Sequence, residues 1–204
     1  MNIMKTFTVI FLLFCSSTSF SQINKSLLND INAIEPKIIE WRHYFHKNPE
    51  LSNREFNTGE KIANHLKALG LDVTKNVAHT GVVGILKGDL PGKVVALRAD
   101  IDALPVTERN DLPFKSVVKT KFLGQETGVM HACGHDTHIA ILMGVAEVLS
   151  KHKNLIKGTV KFIFQPAEEG VPPGEVGGAK QMIAEGVLTN PDVDAIFGLH
   201  IGSG

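Results

Sequence analysis

The stretch TVKFIFQPAEEG, residues 159–170, carries the pattern most informative about the fold. Its first seven residues are rich in β-branched and aromatic side chains, which is typical of a buried strand. A proline and two glutamates follow, so carboxylates begin where the strand ends. In open α/β sheets, sites form beyond the carboxyl ends of strands. The stretch therefore predicts a strand that brings acidic residues to a site at the edge of a sheet.

Strand-like and helix-like runs alternate along the rest of the chain, which predicts an α/β protein. The turn formers Asp89, Pro91 and Gly92 are expected to separate the first two strands. We expect a mixed, largely parallel sheet that helices cover on both faces. Strands are predicted at 81–88, 93–99, 159–165 and 194–200, and helices at 26–46, 54–69, 137–151 and 177–187.

Composition favours an ordinary globular protein. The chain has 204 residues, of which 43% are hydrophobic and 21% charged, and its formal net charge is +0. Neither the charge balance nor any Lys/Arg run indicates a nucleic-acid partner. Nine histidines favour metal or acid–base chemistry.

Residues 1–21 are expected to be a secretory signal peptide. Lys5 precedes an apolar run at 7–14 that is too short to span a bilayer, and residues 19–21 form a small-x-small cleavage site. Cleavage would leave a secreted or periplasmic protein, residues 22–204, without a membrane contact.

Two alternatives to cleavage remain. The segment could stay as an uncleaved anchor, or Cys15 could be lipidated, although Phe14 before it fits a lipidation signal poorly. Cleavage would leave Cys133 as the only cysteine, so no intramolecular disulfide could form. A bound metal would protect such a lone thiol in an oxidising compartment.

Four polar clusters occupy equivalent positions in the predicted fold. RADIDALP (98–105) and QPAEEG (165–170) each follow a strand, His200 ends another strand, and HACGHD (131–136) precedes a helix. Any one cluster could be an ordinary polar loop. Together they predict a shared site at the carboxyl ends of the strands.

The residue types in these clusters suit metal chemistry. Thiolate and imidazole are preferred ligands for zinc-like ions, and a turn before the helix could converge Cys133 and His135. Glu168 and Glu169 would repel each other unless a cation or a shared proton intervened. One of them could bind metal while the other acts as a base.

The remaining polar residues allow more than one role. Asp100 and Asp102 could be ligands, or they could orient histidines from behind. His200 could be a ligand or a histidine buried in the core. His138 lies in an apolar helical run, where packing is its expected role.

Several segments together resemble the amidohydrolase branch of the co-catalytic metallopeptidases. This branch includes hippurate hydrolases, N-acyl-amino-acid amidohydrolases and indole-acetyl-amino-acid hydrolases. The resemblance covers nearly the whole of residues 22–204. It is carried by HKNPELSNREFNT, TGVVGILKG, LRADIDALPV, GVMHACGHDTHIAILMGVAEVL, VKFIFQPAEEG, GGAKQMIAEGVL and DAIFGLHI.

The resemblance implies a zinc-peptidase-like catalytic domain and specific roles for these residues. Cys133, His135, Glu169 and His200 match metal ligands of the family, and Glu168 matches its general base. Two divalent ions, Zn²⁺ or Mn²⁺/Co²⁺, are the implied cofactors. Supporting residues that orient the ligands are expected at Asp100, Asp102 and Asp136.

The implied reaction is cleavage of an N-acyl amino acid, a small-molecule substrate, to a carboxylic acid and an amino acid. Family members continue well beyond the last residue of this chain. They have an inserted dimerisation domain, or lid, and a further histidine ligand. The chain is therefore expected to represent the N-terminal part of an incomplete catalytic domain, and the full-length form is expected to be a homodimer.

Three other interpretations remain open. The protein could be a metallo-carboxypeptidase or dipeptidase of the same superfamily. It could be a thiol hydrolase that uses Cys133 as nucleophile and His135 or His131 as base. The chain could also be an inactive, truncated remnant that only binds metal.

Overall fold

Seven strands and four α-helices are present in residues 24–202, the part of the chain that the computed structural model describes. The predicted signal peptide lies outside this part. The helices are α1 (Lys25–Lys47), α2 (Phe56–Ala68), α3 (His135–Lys151) and α4 (Gly178–Ala184). The strands are β1 (Asp72–Val77), β2 (Gly81–Lys87), β3 (Leu90–Asp100), β4 (Lys119–Phe122), β5 (Gln125–Gly128), β6 (Lys157–Gln165) and β7 (Ala195–Gly198).

Five strands form one sheet in the order β1-β2-β6-β3-β7, while β4 and β5 form a separate hairpin. Strand β3 runs parallel to its neighbours β6 and β7. Strand β2 runs antiparallel to β1 and β6. The predicted α/β class is confirmed, and the sheet is mixed, with a parallel half around β3.

Alternation along β6 separates two hydrophobic cores. Phe162 and Phe164 pack in the core that α1, α2 and α3 cover. Ile163 points the other way and packs with Met182 of α4. Because successive strand residues face opposite sides, both faces of this strand are buried. Helices therefore cover both faces of the sheet, as the sequence predicts.

The structure corrects the prediction in two places. Strand β3 begins at Leu90, so Pro91 and Gly92 lie inside it and not in a separating turn. The pairing with β6 shifts register between Leu90 and Val94, and such an irregularity accommodates a proline within a strand. Strand β1 and the β4–β5 hairpin were not predicted, because they lack a long apolar run.

The parallel pairing of β3 and β6 positions the polar clusters. Asp100 at the end of β3 is the register partner of Gln165 at the end of β6. The loops after both strands therefore leave the sheet side by side. Helix α3 begins at His135, directly after the HACG segment.

Among the helices in residues 24–202, none has the length and apolar character needed to cross a bilayer.

Candidate metal centre

Hydrogen bonds join the loops that follow β3 and β6. The carboxylate oxygen Oδ2 of Asp102 accepts a bond from the backbone N–H of Glu169 at 3.0 Å. The same oxygen accepts a bond from the Ser52 hydroxyl at 2.7 Å. Because Asp102 is buried, the first bond holds the 165–170 loop against the end of β3, and the second attaches the segment that contains Ser52 to the same carboxylate.

A glycine in the left-handed region turns the chain into α3. Gly134 has a φ of +90°, which an L side chain rarely adopts, and a Cβ there would overlap the side chain of Ile201. This turn places Cys133 and His135 on a common side. The Cys133 sulfur, a ring nitrogen of His135 and a carboxylate oxygen of Glu169 all lie within 4.8 Å of one another.

The hydrogen bonds of His135 determine which of its nitrogens is free. Nδ1 lies 2.8 Å from the backbone carbonyl of Asp102, and since a carbonyl only accepts, Nδ1 carries the proton. In the neutral ring, Nε2 then has a lone pair. Nε2 is buried without a hydrogen-bond partner among the described residues. A buried, unpartnered imidazole nitrogen that faces a thiol and a carboxylate suits a metal ion.

A backbone hydrogen bond also determines which nitrogen of His200 has a lone pair. Its Nδ1 donates to the carbonyl of Ile201 at 2.7 Å, so Nε2 has the lone pair. Nε2 lies 3.8 Å from the sulfur of Cys133. The exposed His200, two residues after β7, thus faces the cluster formed by Cys133, His135 and Glu169.

The spacing of these atoms matches that of ligands around one ion. Nitrogen, oxygen and sulfur ligands at about 2.0–2.3 Å from a tetrahedral ion are separated by about 3.3–3.8 Å. His135 Nε2 lies 3.7 Å from Glu169 Oε1, and the Cys133–His200 distance is 3.8 Å. The residues present therefore fit a divalent metal.

Glu168 lies beside this cluster. Its Oε2 is 3.7 Å from His135 Nε2, the same distance as for Glu169. However, the Glu169 side chain is 22% exposed and its backbone is held by Asp102, whereas the Glu168 side chain is 36% exposed. Glu168 is thus the more accessible of the two carboxylates that lie near His135 Nε2.

The contacts of His138 correct the expectation that this residue only packs in the helix. Its Nδ1 lies 2.6 Å from Asp100 Oδ1, and its Nε2 accepts a bond from the backbone N–H of Ile201 at 3.0 Å. Both nitrogens are therefore occupied, and His138 ties Asp100 to the segment that carries His200. Its spacing of three residues from His135 on one helix was the available signal, since such residues share a face.

Asp136 is not brought to the cluster. Its Oδ2 lies 2.8 Å from His46 Nδ1 and 3.0 Å from Arg42 Nε, on the side of α3 toward α1. His46 also contacts Glu108 at 2.9 Å. The hydrogen bond to Asp136, opposed by burial and assisted by Glu108, raises the pKa of His46. Asp136 was expected to support the metal ligands, and this expectation is corrected: it holds His46, because consecutive helix residues point in different directions.

The acidic surroundings disfavour a thiolate at Cys133. Burial, followed by the hydrogen bond and negative charge of Glu169 and the charges of Glu168 and Asp100, raises the pKa of Cys133 to about 11. A divalent cation reverses this effect, because a coordinating thiol is deprotonated outright. These surroundings therefore favour a Cys133 thiolate bound to a cation over a free Cys133 thiolate that acts as a nucleophile.

Glu55 is a buried carboxylate that sequence analysis missed. Its Oε1 accepts a bond from the backbone N–H of Ala167 at 2.8 Å, and its other oxygen accepts from the Thr80 hydroxyl. Ala167, directly before Glu168, has a φ of +48° in the left-handed region, which is costly for a non-glycine residue. Glu55 therefore stabilises the strained turn from which Glu168 and Glu169 project.

Comparison with known proteins finds a family model and several relatives that match this chain. Residues 96–204 match the family described as "Peptidase family M20/M25/M40". Thermostable carboxypeptidase 2 from Saccharolobus solfataricus is 51% identical over 180 residues, which cover 88% of this chain and 42% of that protein. The N-acyl-L-amino acid amidohydrolase from Geobacillus stearothermophilus is 39% identical over 173 residues, covering 85% of this chain and 43% of that protein.

One solved structure is similar to this chain in both fold and sequence. The YXEP protein from Bacillus subtilis, described as a dinuclear metal binding peptidase from the M20 family, superposes with a TM-score of 0.72 at 41% identity. The match covers 84% of this chain and 44% of that one. The chain thus spans less than half the length of each of these relatives.

Proposed function

Because the chain belongs to peptidase family M20/M25/M40, we propose that its protein is a metal-dependent hydrolase that cleaves the amide bond of N-acyl amino acids. The observation that carries this proposal is the unpartnered, buried Nε2 of His135. It faces the Cys133 sulfur and the Glu169 carboxylate within 4.8 Å. Without a cation, this arrangement would leave a buried polar atom unsatisfied and carboxylates unpaired.

We propose Cys133, His135, Glu169 and His200 as ligands and two divalent ions, Zn²⁺ or Mn²⁺/Co²⁺, as cofactors. The Bacillus subtilis relative described as dinuclear supports the number two. The mixed donor set of thiol, imidazole and carboxylate accepts each of these ions. When bound, such ions lower the pKa of water toward neutral and polarise an amide carbonyl.

The residues of the chain would divide the remaining work. Glu168 accepts the proton of the attacking water and delivers it to the leaving amine. Asp102 fixes the orientation of His135 through its backbone carbonyl, and Asp100 fixes His138 through its carboxylate. The hydrogen bond from Glu169 N to Asp102 keeps the Glu168–Glu169 pair at the cluster.

A second candidate is a metallo-carboxypeptidase or dipeptidase. It is favoured by the relatives from Saccharolobus solfataricus named thermostable carboxypeptidases 2 and 1, which are 51% and 52% identical to the chain. Both candidates use the same site and break the same type of bond. They differ in what lies on the acyl side of the amide.

The thiol-hydrolase alternative has less support. The imidazole nitrogen that lies 3.8 Å from the Cys133 sulfur belongs to His200, not to His131 or His135. Burial lowers the pKa of His131 to about 4, which makes it a weak base.

We also propose that the protein is exported after removal of residues 1–21 and that its full-length form is a homodimer. The first proposal rests on the sequence pattern and the second on the family resemblance.

The test is metal analysis with substrate profiling of the protein as its gene encodes it. We expect metal removal by a chelator to abolish hydrolysis of N-benzoyl and N-acetyl amino acids, and added Zn²⁺, Mn²⁺ or Co²⁺ to restore it. Faster cleavage of peptides than of N-acyl amino acids would favour the carboxypeptidase. Turnover that ignores the chelator would contradict a metal mechanism, and absence of bound metal would indicate a remnant.

A further inference from the structure

A cleft of about 370 Å³ lies next to the metal centre, and none of the roles assigned above uses it. The β4–β5 hairpin forms one wall, and the segment 169–173 after β6 forms the other. Most of its lining is apolar. The apolar residues that line it include Leu51, Leu104, Phe122, Leu123, Val171 and Pro172.

Two residues at or near the proposed metal centre contribute to the lining of the cleft. Glu169, a proposed ligand, and Ser52 both line it. Both are bonded to Asp102, whose backbone carbonyl accepts the hydrogen bond from His135. A substrate whose carbonyl carbon reacts beside Glu168 and Glu169 can therefore extend a neighbouring group directly into the cleft.

The polarity of the cleft indicates which half of the substrate enters. The amino-acid half carries a carboxylate, which would lose its hydration among apolar walls and lie near the negative charge of Glu169. The acyl half carries no charge. Of the two cations that border the cleft, Arg54 is already paired with Glu175, and Lys121 is exposed to solvent.

We propose that this cleft binds an apolar acyl group of the substrate, aromatic or branched aliphatic. The proposal rests on the proposed function, because the scissile amide must lie at the metal centre. The size is adequate, since a cavity of about 150 Å³ already holds benzene. Burying the acyl group there would strengthen binding roughly fourfold for each methylene removed from water.

Substitutions in and beside the hairpin can distinguish an effect of the cleft from an effect of its surroundings. Thr120 and Phe122 alternate on β4, line the cleft and are partly buried. Thr120→Trp would fill the cleft, and Phe122→Ala would remove part of its wall. Val117, just before the hairpin, does not line the cleft and is 72% exposed, so Val117→Trp adds the same bulk outside it.

The experiment measures binding of three monocarboxylates to the Zn²⁺-loaded chain by ligand-observed NMR: acetate, benzoate and 3-phenylpropanoate. We expect 3-phenylpropanoate to bind at least tenfold more tightly than acetate. Thr120→Trp should reduce this preference below threefold, and Phe122→Ala should reduce it severalfold. Val117→Trp should retain it, and bound zinc should be unchanged in all variants.

Equal binding of the three acids by the unmodified chain would overturn the proposal, and so would a preference unaffected by both cleft variants. If Thr120→Trp does not fold, Phe122→Ala decides alone. The proposed function fails separately, when N-acyl amino acids are not hydrolysed in the presence of metal. Hydrolysis whose acyl preference ignores Thr120 and Phe122 would leave that function standing and remove the cleft assignment.

Discussion

At the scale of single residues, the metal centre depends on which lone pairs are left free. His135 and His200 each donate a proton from Nδ1 to a backbone carbonyl, which leaves Nε2 free in both. His138 has its Nε2 occupied by the N–H of Ile201. Three histidines lie close together, yet only two present a free nitrogen. The backbone therefore distinguishes the proposed ligands from a similar neighbouring side chain.

The division of labour between Glu168 and Glu169 predicts opposite phenotypes at adjacent positions. Glu168→Gln should lower kcat by about 10²–10⁴, because an amide cannot accept the proton, while bound metal is retained. Glu169→Ala, the matched comparison, should instead lose metal. Steady-state kinetics and metal content of the same samples check both. Near-normal turnover of Glu168→Gln would show that another group is the base.

At the scale of elements, α2 contributes through close approach to the sheet. A Cβ on Gly84 of β2 would lie 2.9 Å from Leu66 Cδ1, so the helix packs against bare backbone there. Leu66 is 0% exposed and belongs to the larger core. Leu66 lies in the last turn of α2, so this packing anchors that end of the helix on β2, while Glu55, directly before the helix, holds the turn at Ala167.

Leu66→Ala should therefore lower the free energy of unfolding by about 2–5 kcal/mol, through lost burial and the cavity left behind. Leu28→Ala on α1 is the control, because Leu28 is 39% exposed and its truncation should change stability by less than about 0.5 kcal/mol. Urea unfolding of the chain measures both. Similar losses for the two variants would contradict the packing of α2 on Gly84.

At the scale of the whole molecule, several buried ionisable groups lie around the proposed metal centre. Asp100, Asp102, His131, His135 and Glu55 are all less than 5% exposed. Burying such groups costs free energy unless each is paired or neutral. The metal-free chain should therefore show a dependence of stability on pH that ordinary surface carboxylates do not produce.

Glu55 provides the clearest case. Burial, opposed by the hydrogen bonds from Thr80 and Ala167, raises its pKa from 4.5 to about 7. A raised carboxyl pKa means that the folded state keeps its proton when the unfolded state has lost it. Stability from this group is thus fully present below pH 4.5 and declines until pH 7, by roughly 3 kcal/mol.

The measurement compares urea unfolding of the chain and of Glu55→Gln between pH 4.5 and 8, with a chelator present. The unmodified chain should lose stability relative to Glu55→Gln as the pH rises through this window. Glu126→Gln on β5, where the glutamate is exposed, is the matched control and should follow the unmodified chain. Parallel pH profiles for the chain and Glu55→Gln would contradict the raised pKa.

The sequence by itself determined the class of the fold and the composition of the site. Apolar periodicity identified all four α-helices and four of the seven strands, because the burial pattern of an element is set by the residues that follow one another within it. Polar residues after β3 and β6 marked the edge at which the site lies, because parallel strands end together. The grouping of Cys133 and His135 with Glu169 was expected from the position of HACGHD before a helix and from the family resemblance.

Only the tertiary structure decided the strand order, the direction of Asp136 toward His46, the role of His138 and the buried Glu55 behind Ala167. Each depends on contacts between residues far apart in the chain. Such contacts are set by how whole elements pack, and a local pattern carries no information on the partner that a side chain meets. The free nitrogen of His135 is of this kind, since it follows from a backbone carbonyl 33 residues away.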